Sequence, residues 1–177
     1  MIYVLLANGF EEIEAVYPID VLRRCGEQVT TVGIGGEYIT GSNRIMIKPD
    51  ISIDKIGNDI KMLILPGGPG RTNIIKSKKA MDTIAFCFKY SIPIAAICGA
   101  PEILAELGYL QGKKVTCYPG LEDGLIGAQY LDEPVVIDEN LITSQAAGTS
   151  EAFAFAIAEF ICGKEKADEI RGKMKCK

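Results

Sequence analysis

Short apolar runs recur along the chain at intervals that leave room for a helix between them. Residues 2–7 are a continuous apolar run, and residues 61–65 are apolar throughout after Lys61, as expected for strands buried on both faces of a parallel sheet. Residues 28–34 and the apolar run that ends at Ile97 predict two further strands. We expect these strands to form the centre of the molecule.

The segments between the strands carry apolar residues at helical spacing. In residues 10–25 these are Ile13, Val16, Tyr17 and Val21. The same spacing predicts helices over 70–76, 79–90, 102–107, 151–161 and 165–174. Strands that alternate with helices indicate an α/β fold with a mostly parallel sheet and helices on both faces.

Four segments depart from this alternation. Residues 36–53 contain Gly, Asn and Pro with short apolar alternation, and predict a small hairpin or excursion. Residues 114–117 resemble a short strand, and residues 119–133 are rich in loop-forming and acidic residues. Residues 135–143 contain two apolar triplets around Asp-Glu-Asn, which predicts a hairpin or a bent edge.

The composition limits the class of protein. The 177 residues are 48% hydrophobic, which fits one domain over 1–177 with a sizeable core. The net charge of −4 and the lack of a Lys/Arg block argue against a nucleic-acid partner. No apolar run approaches the ~20 residues that span a membrane, and the first residues lack the features of a secretion signal. We therefore expect a cytoplasmic protein with no membrane partner.

Six cysteines and no histidine narrow the possible chemistry. The cysteines are irregularly spaced, no Cys-x-x-Cys occurs, and no histidine completes a zinc site, so we predict no bound metal. In a reducing cytoplasm we expect free thiols. Cys25, Cys87 and Cys162 lie in helical patterns and are expected to be packing residues.

Cys98 stands at the most informative junction of the chain. An apolar run ends at Ile97, Cys98-Gly99 follows, and a helical pattern begins just after Pro101. A nucleophile elbow has this strand–turn–helix layout. The unpaired amides of the helix would stabilise a thiolate at Cys98, while the alternative is a buried structural cysteine.

Two other segments are predicted at the same edge of the sheet. Gly9–Glu14 and Pro66–Gly70 each follow a predicted strand, as Cys98 does. Ligands of parallel α/β sheets gather at the carboxyl ends of the strands, so we expect one shared site. The glycine loop lacks the Lys-Ser/Thr of a phosphate-binding loop and the spacing of a dinucleotide fingerprint, which disfavours a nucleotide.

Taken together, four segments resemble the DJ-1/ThiJ/PfpI family, in its compact DJ-1-like branch. They are residues 9–14, 65–68, 95–101 and 143–150, and their order and approximate spacing match over nearly the whole chain. The resemblance implies a flavodoxin-like (Rossmann-like) fold with a cysteine nucleophile elbow.

The resemblance also assigns roles to individual residues. Cys98 matches the elbow cysteine, and Glu14 matches the carboxyl that projects from the first helix toward the thiol. Gly68 and Gly99 match the backbone amides of an oxyanion pocket. Arg44 lies in the stretch that resembles the dimer interface and the rim of the site.

The activities proposed for such proteins need no cofactor. They are conversion of methylglyoxal to lactate, removal of glyoxal adducts (deglycation), and sensing of oxidants through a cysteine sulfinate. The resemblance therefore implies a small carbonyl substrate, a homodimer, and either a glyoxalase- or deglycase-like enzyme or an oxidative-stress sensor with chaperone-like interactions.

The absence of histidine separates this chain from many members of the family. Tyr118 stands where many members carry histidine, and Gly99 stands where proteolytic relatives have it. Cysteine hydrolases and glutamine amidotransferases use histidine as the general base, so a PfpI-like hydrolase is disfavoured. A partner chain of different sequence could supply a histidine to the site, whereas a second copy of this chain cannot.

Glu14 is the one plausible replacement for the missing base. A buried carboxyl has a raised pKa and could move protons near neutral pH. The alternative is a solvated helix face shared with Glu11 and Glu12. Tyr118 could orient the substrate or simply form an apolar wall. Cys117 and Tyr118 are neighbours on a predicted strand and therefore face opposite sides of it, so they are not both expected to face the site. Cys117 is not expected to resolve an oxidised Cys98.

Overall fold

A computed structural model of the protein describes residues 1–176. These residues form eleven β-strands and six α-helices. The strands are β1 (Ile2–Ala7), β2 (Val29–Ile34), β3 (Ile39–Thr40), β4 (Met46–Ile47), β5 (Ile51–Ser52), β6 (Met62–Leu65), β7 (Ile94–Ile97), β8 (Lys114–Val115), β9 (Gln129–Tyr130), β10 (Val135–Asp138) and β11 (Leu141–Ser144). The helices are α1 (Glu12–Arg24), α2 (Arg71–Lys76), α3 (Lys78–Lys89), α4 (Pro101–Glu106), α5 (Ser150–Cys162) and α6 (Lys164–Met174).

Seven of the strands form the central sheet, in the order β10-β11-β7-β6-β1-β2-β5. Every neighbouring pair is parallel except β10 and β11, which form an antiparallel hairpin at one edge. The mostly parallel α/β sheet predicted from the apolar runs is confirmed, as is the late hairpin. The carboxyl ends of β1, β6 and β7 lie side by side, which brings the loops that follow them together.

The side chains of β1 show why the sheet needs helices on both faces. Tyr3 and Leu5 belong to one apolar cluster, and Ile2, Val4 and Leu6 belong to the other. Helices α2, α3 and α4 cover the first cluster, while α1, α5 and α6 cover the second. A strand buried on both faces has no polar side, which explains the continuous apolar runs in the sequence.

Helix α1 forms as predicted, and Val21 is buried as its spacing indicates, but the first turns bury polar residues while two of the apolar ones face outward. Ile13 is 51% exposed and Val16 is 46% exposed, whereas Glu12 and Glu14 are buried. The two carboxyl groups point inward because each meets backbone N–H groups of a neighbouring loop. The apolar pattern therefore located the helix and the inner side of its later turns, but not that of its first turns.

Two short pairings lie outside the main sheet. Strands β3 and β4 form the small antiparallel hairpin expected between residues 36 and 53. Strand β9 pairs in parallel with β8 inside the segment expected to be loop, which the sequence did not predict. No helix in residues 1–176 is both long and apolar enough to cross a membrane.

Candidate active site

Cys98 occupies a tight turn between β7 and α4. Its φ angle is +65°, a left-handed conformation that is uncommon for residues other than glycine. Its N–H donates to the carbonyl oxygen of Ser144 at 2.9 Å, and its own carbonyl accepts from the N–H of Tyr118 at 2.9 Å. These two bonds, from β11 and from the segment after β8, hold the strained conformation of the elbow.

Glu14 reaches the elbow from the first turn of α1. Its side chain is fully buried, and its Oε2 atom accepts a hydrogen bond of 2.8 Å from the N–H of Gly67. The backbone N–H of Glu14 donates to the carboxylate of Glu11, which caps the helix, at 2.9 Å. This placement excludes the solvated face considered for Glu14 and brings its carboxyl group against the thiol of Cys98.

The glycines around the thiol leave no space for side chains. Gly68 has a φ angle of +85°, and a β-carbon there would lie 2.5 Å from the carbonyl oxygen of Gly9. The amides of Gly68 and Gly99 are close enough to the sulfur of Cys98 to lower the pKa of its thiol. The two amides expected in an oxyanion pocket therefore converge on the predicted nucleophile.

Burial has a strong effect on the carboxyl group of Glu14. It raises the pKa of Glu14 to about 7, helped by the negative charge of Glu11 and opposed by hydrogen bonds from Gly67 and Cys98. The Oε1 atom of Glu14 is buried without a hydrogen-bond partner in residues 1–176. A carboxyl group with these properties exchanges a proton near neutral pH, and Oε1 is the oxygen that accepts no other hydrogen bond.

The thiol of Cys98 is also shifted, in the direction opposite to the one expected from its place before a helix. Burial raises the pKa of Cys98 to about 11, and the charge of Glu14 adds to this effect. The amides of Gly68 and Gly99 lower the pKa but do not outweigh burial. The resting thiol therefore keeps its proton, and Glu14 is the adjacent group able to remove it.

The side chains of Tyr118 and Arg44 are tied to the elbow less closely than that of Glu14. Tyr118 is joined to the elbow through its backbone N–H, and its side chain is 48% exposed at the rim. Arg44 lies on the exposed turn between β3 and β4, with a φ angle of +70°. The side chain is exposed, and no hydrogen bond or ion pair within residues 1–176 ties it to the thiol.

The cation beside the elbow is Arg71, which the sequence did not identify. Its Nε atom donates to Oε2 of Glu102 at 2.7 Å, and its side chain lies over Gly99. A β-carbon on Gly99 would lie 2.9 Å from Cδ of Arg71, so Gly99 makes the space that this side chain fills. Arg71 follows directly on the Pro66–Gly70 loop, but only the packing of α2 against α4 reveals the contact.

Other candidates for chemistry near the elbow are weak. Cys117 is buried, and its sulfur lies 3.4 Å from the carbonyl oxygen of Tyr118. Within residues 1–176, no three side chains able to bind a metal ion gather in one place. The reactive groups of the site are thus one thiol, one carboxyl and two amides. This set can add sulfur to a carbonyl carbon, stabilise the resulting oxyanion and move a proton.

Comparison with known proteins places the whole arrangement in one family. The sequence pattern of the DJ-1/PfpI family matches residues 1–160. The chain is 41% identical to protein dj-1beta of Drosophila melanogaster over 172 residues, covering 94% of this chain and 92% of that protein. It is 35% identical to a deglycase of Pyrococcus horikoshii over 144 residues, covering 80% of this chain and 87% of that protein.

Solved structures agree with the sequence relationship. The crystal structure of Drosophila melanogaster DJ-1beta superposes with a TM-score of 0.93 at 39% identity, covering 98% of this chain and 96% of that one. The structure of oxidized Toxoplasma gondii DJ-1 superposes with a TM-score of 0.93 at 29% identity, with 98% and 96% covered.

Proposed function

Because the chain belongs to the DJ-1/PfpI family, we propose that it is a cofactor-independent cysteine enzyme that acts on small reactive carbonyl compounds. The reaction we assign is conversion of methylglyoxal to lactate, or release of the same aldehyde from its adducts. Deglycases among the relatives, at 31–35% identity, support this class of substrate.

One observation carries the proposal. The buried carboxyl group of Glu14 contacts the thiol of Cys98, and the amides of Gly68 and Gly99 point at the same sulfur. A carbonyl carbon bonded to this sulfur would place its oxygen beside the two amides. The carboxyl group would then lie beside the hydrogen that must move.

The steps follow from this arrangement. Glu14 takes the proton of the thiol while the sulfur of Cys98 adds to the aldehyde carbon, and the amides stabilise the oxygen that becomes negative. The carboxyl group passes this proton to the negative oxygen and so becomes a carboxylate again. It then moves the proton of the former aldehyde carbon to the neighbouring carbon, while the hydroxyl proton passes to the second oxygen, which leaves a 2-hydroxyacyl thioester. Water cleaves the thioester, which yields lactate and restores the thiol. Atoms and electrons balance without an external oxidant.

Because Tyr118 stands where many family members have histidine, Glu14 is the single acid–base group of this scheme. The tyrosine side chain is half exposed at the rim, where we assign it to contact the substrate rather than to transfer protons. Because Cys98 has a raised pKa, the reaction depends on removal of the thiol proton by Glu14. A carboxyl group with a pKa of about 7 suits this role near neutral pH.

The test is lactate formation from methylglyoxal by wild type, Cys98→Ser and Glu14→Gln. We expect turnover by wild type, a loss of at least about 10³-fold in Cys98→Ser, and a loss of about 10²-fold in Glu14→Gln. Circular dichroism of each variant controls for folding. A folded, reduced wild-type protein without turnover would overturn the proposal, and full activity in Glu14→Gln would remove the assigned base.

A redox-sensing role is the second candidate, and one observation favours it. The partnerless Oε1 atom of Glu14 lies buried close to the thiol, where a protonated carboxyl group could donate to a sulfinate oxygen. Such a bond would stop oxidation at the sulfinate stage. Dilute peroxide followed by intact mass and peptide mapping tests this, with two added oxygens on Cys98 as the expected result. No added oxygen, or direct passage to the sulfonate, would count against sensing.

We also propose that the protein is a homodimer. Ile13 and Val16 of α1, together with Ile45 and Met46 of the β3–β4 hairpin, form an exposed apolar surface on two elements that Glu12 joins. A second copy is the partner that would cover it in a family expected to be dimeric. In such a dimer Arg44, which lies on the same hairpin, is placed at the interface.

A further inference from the structure

Two cysteines meet at the edge of the sheet opposite the elbow. Cys25 directly follows α1, and Cys162 is the last residue of α5. Helices α1 and α5 pack on the same face of the sheet, and both run from the carboxyl edge to the amino edge. Cys25 is close to the start of β1, where the N–H of Ile2 donates to the carbonyl oxygen of Gln28. This location is remote from Cys98, which follows the end of β7.

The last turns of α1 and α5 lie together and bring the two thiols near each other. Helix α1 packs against α5, and the sulfur of Cys162 lies 3.7 Å from Oε1 of Glu27, two residues beyond Cys25. Each thiol also influences the pKa of the other. Both cysteines are partly exposed, so a small oxidant can reach them. By contrast, the sulfur of Cys176 lies 3.5 Å from the hydroxyl of Tyr17, and Tyr17 also contacts Glu151 at the other end of α5.

Their surroundings give the two thiols different roles. Burial raises the pKa of both, to about 12 for Cys162. For Cys25, the side chain of Cys162 and the positive charge of Lys166 act in the opposite direction and favour the thiolate, whereas the negative charges of Glu27 and Glu169 add to the effect of burial. We assign Cys25 as the attacking thiol, because it is the one of the two with contacts that favour the thiolate, and Cys162 as the thiol that attacks it in the second step.

We propose that Cys25 and Cys162 form a reversible disulfide, a redox site that is separate from Cys98. With a hydroperoxide as oxidant, the sulfur of Cys25 attacks one peroxide oxygen, the O–O bond breaks, and Cys25 becomes a sulfenic acid. The sulfur of Cys162 then attacks that of Cys25, and the S–OH bond breaks with release of water. The two thiols lose two electrons, and hydrogen peroxide becomes two molecules of water.

The bond would link the two helices that support the catalytic site. Helix α1 carries Glu14 in its first turn, and α5 follows the strand whose Ser144 holds the N–H of Cys98. Cross-linking their far ends limits how far the helices can separate. Because the disulfide closes a long loop, we expect oxidation to raise the melting temperature by about 5–10 °C.

The experiment is peptide mapping of the full chain without reduction. Reduced protein is treated with hydrogen peroxide, free thiols are blocked with N-ethylmaleimide, and the digest is analysed by mass spectrometry before and after dithiothreitol. We expect a linked pair of peptides containing Cys25 and Cys162, about 2 Da lighter than the two reduced peptides, which dithiothreitol separates.

Variants make the assignment specific. The linked pair should persist in Cys98→Ser and in Cys87→Ser, where Cys87 is a buried cysteine of α3, and should vanish in Cys25→Ser and Cys162→Ser. The wild-type map decides the matter even if a variant folds poorly. The proposal is overturned if Cys25 and Cys162 remain blocked separately after peroxide has oxidised Cys98, or if either pairs with another cysteine or another chain.

Discussion

At the scale of single residues, Gly67 controls the distance between the two reactive side chains. A β-carbon at this position would lie 2.6 Å from Cβ of Cys98 and 2.7 Å from Oε2 of Glu14. Both separations are too short for non-bonded atoms, so either side chain would have to move. The contact between thiol and carboxyl group therefore depends on the absence of a third side chain.

We predict that Gly67→Ala separates Cys98 from Glu14. Displacement by about 1 Å lowers kcat for methylglyoxal by about 100-fold, because proton transfer requires close contact. Gly148→Ala is the matched control, since a β-carbon at Gly148 meets no atom within 4 Å. Steady-state kinetics of both variants check this, and equal loss in the two would refute the argument.

A second prediction concerns stability and pH. The folded state raises the pKa of Glu14 from 4.5 to about 7 through burial, so between these values the folded protein binds more protons than the unfolded chain. The contribution of Glu14 to the free energy of unfolding is therefore largest below pH 4.5. It falls by roughly 3 kcal/mol as the pH rises to about 7, and then levels off.

Urea unfolding of wild type and Glu14→Gln at a series of pH values measures this effect. The neutral glutamine removes the titration, so the difference in unfolding free energy between the two proteins should shift in favour of Glu14→Gln between pH 4.5 and 7. A difference that stays constant over this range would show that Glu14 is not shifted.

At the scale of elements, a buried carboxylate joins α1 to the β3–β4 hairpin. Glu12 accepts hydrogen bonds from the N–H groups of Asn43, at 2.8 Å, and Ile45, at 3.2 Å. Burial acts to raise the pKa of Glu12, but the hydrogen bonds, chiefly that of the Asn43 side chain, outweigh it and lower the pKa. Gly41 allows this approach, since its β-carbon would lie 2.3 Å from Oε1 of Glu12.

We predict that Glu12→Ala releases the hairpin. The loss of several hydrogen bonds to a charged acceptor lowers the free energy of unfolding by about 2 kcal/mol. It also speeds cleavage by trypsin after Arg44, which lies on the exposed turn. Glu37→Ala is the control, because the one contact of its carboxylate within residues 1–176 is an exposed ion pair with Lys48. Similar trypsin cleavage rates in both variants would contradict a tie between helix and hairpin.

The sequence predicted those elements in which one rule dominates. Strands buried on both faces must be apolar throughout, so β1 and β6 could be predicted from their sequences. The helices that alternate with the strands could be predicted as well. Strand β9 could not, because its two residues carry no periodic signal. The apolar pattern failed in the first turns of α1, where Glu12 and Glu14 point inward while Ile13 and Val16 face outward. In both cases long-range contacts override the local pattern.

The site residues that directly follow strands of the central sheet could be predicted from the sequence. Those brought in by the packing of helices could not. Cys98, Glu14, Gly68 and Gly99 come together because three parallel strands end at the same edge. The contact of Arg71 with Gly99 depends on how α2 packs against α4, which no spacing encodes. The raised pKa of Cys98 depends on burial and on the charge of Glu14, and both outweigh the local effect of the helix that follows.

At the scale of the whole molecule, the exposed apolar surface of α1 and the hairpin is the basis for the proposed dimer. Its four members, Ile13, Val16, Ile45 and Met46, are each between 46% and 61% exposed. Single exposed apolar residues are ordinary, but neighbours on two linked elements form a contiguous patch that favours a protein partner.

We predict a dimer at micromolar concentration that Met46→Asp converts to monomer, because the substitution places a charge in an apolar interface. Sedimentation velocity measures this. The control is Ile126→Asp, which alters an even more exposed residue outside the patch and should leave the dimer intact. A monomeric wild-type protein, or identical sedimentation of both variants, would exclude this interface.

The two hydrogen bonds that hold the elbow also have a consequence for synthesis on the ribosome. Both partners of Cys98, Tyr118 and Ser144, lie later in the chain than the cysteine itself. A nascent chain that ends before residue 144 therefore exposes this thiol without β11 beside it, and burial no longer suppresses its ionisation. Alkylation of stalled nascent chains should label Cys98 faster than it labels the completed protein. The finished fold is the state in which the cysteine is shielded, and translation is the interval in which it is vulnerable.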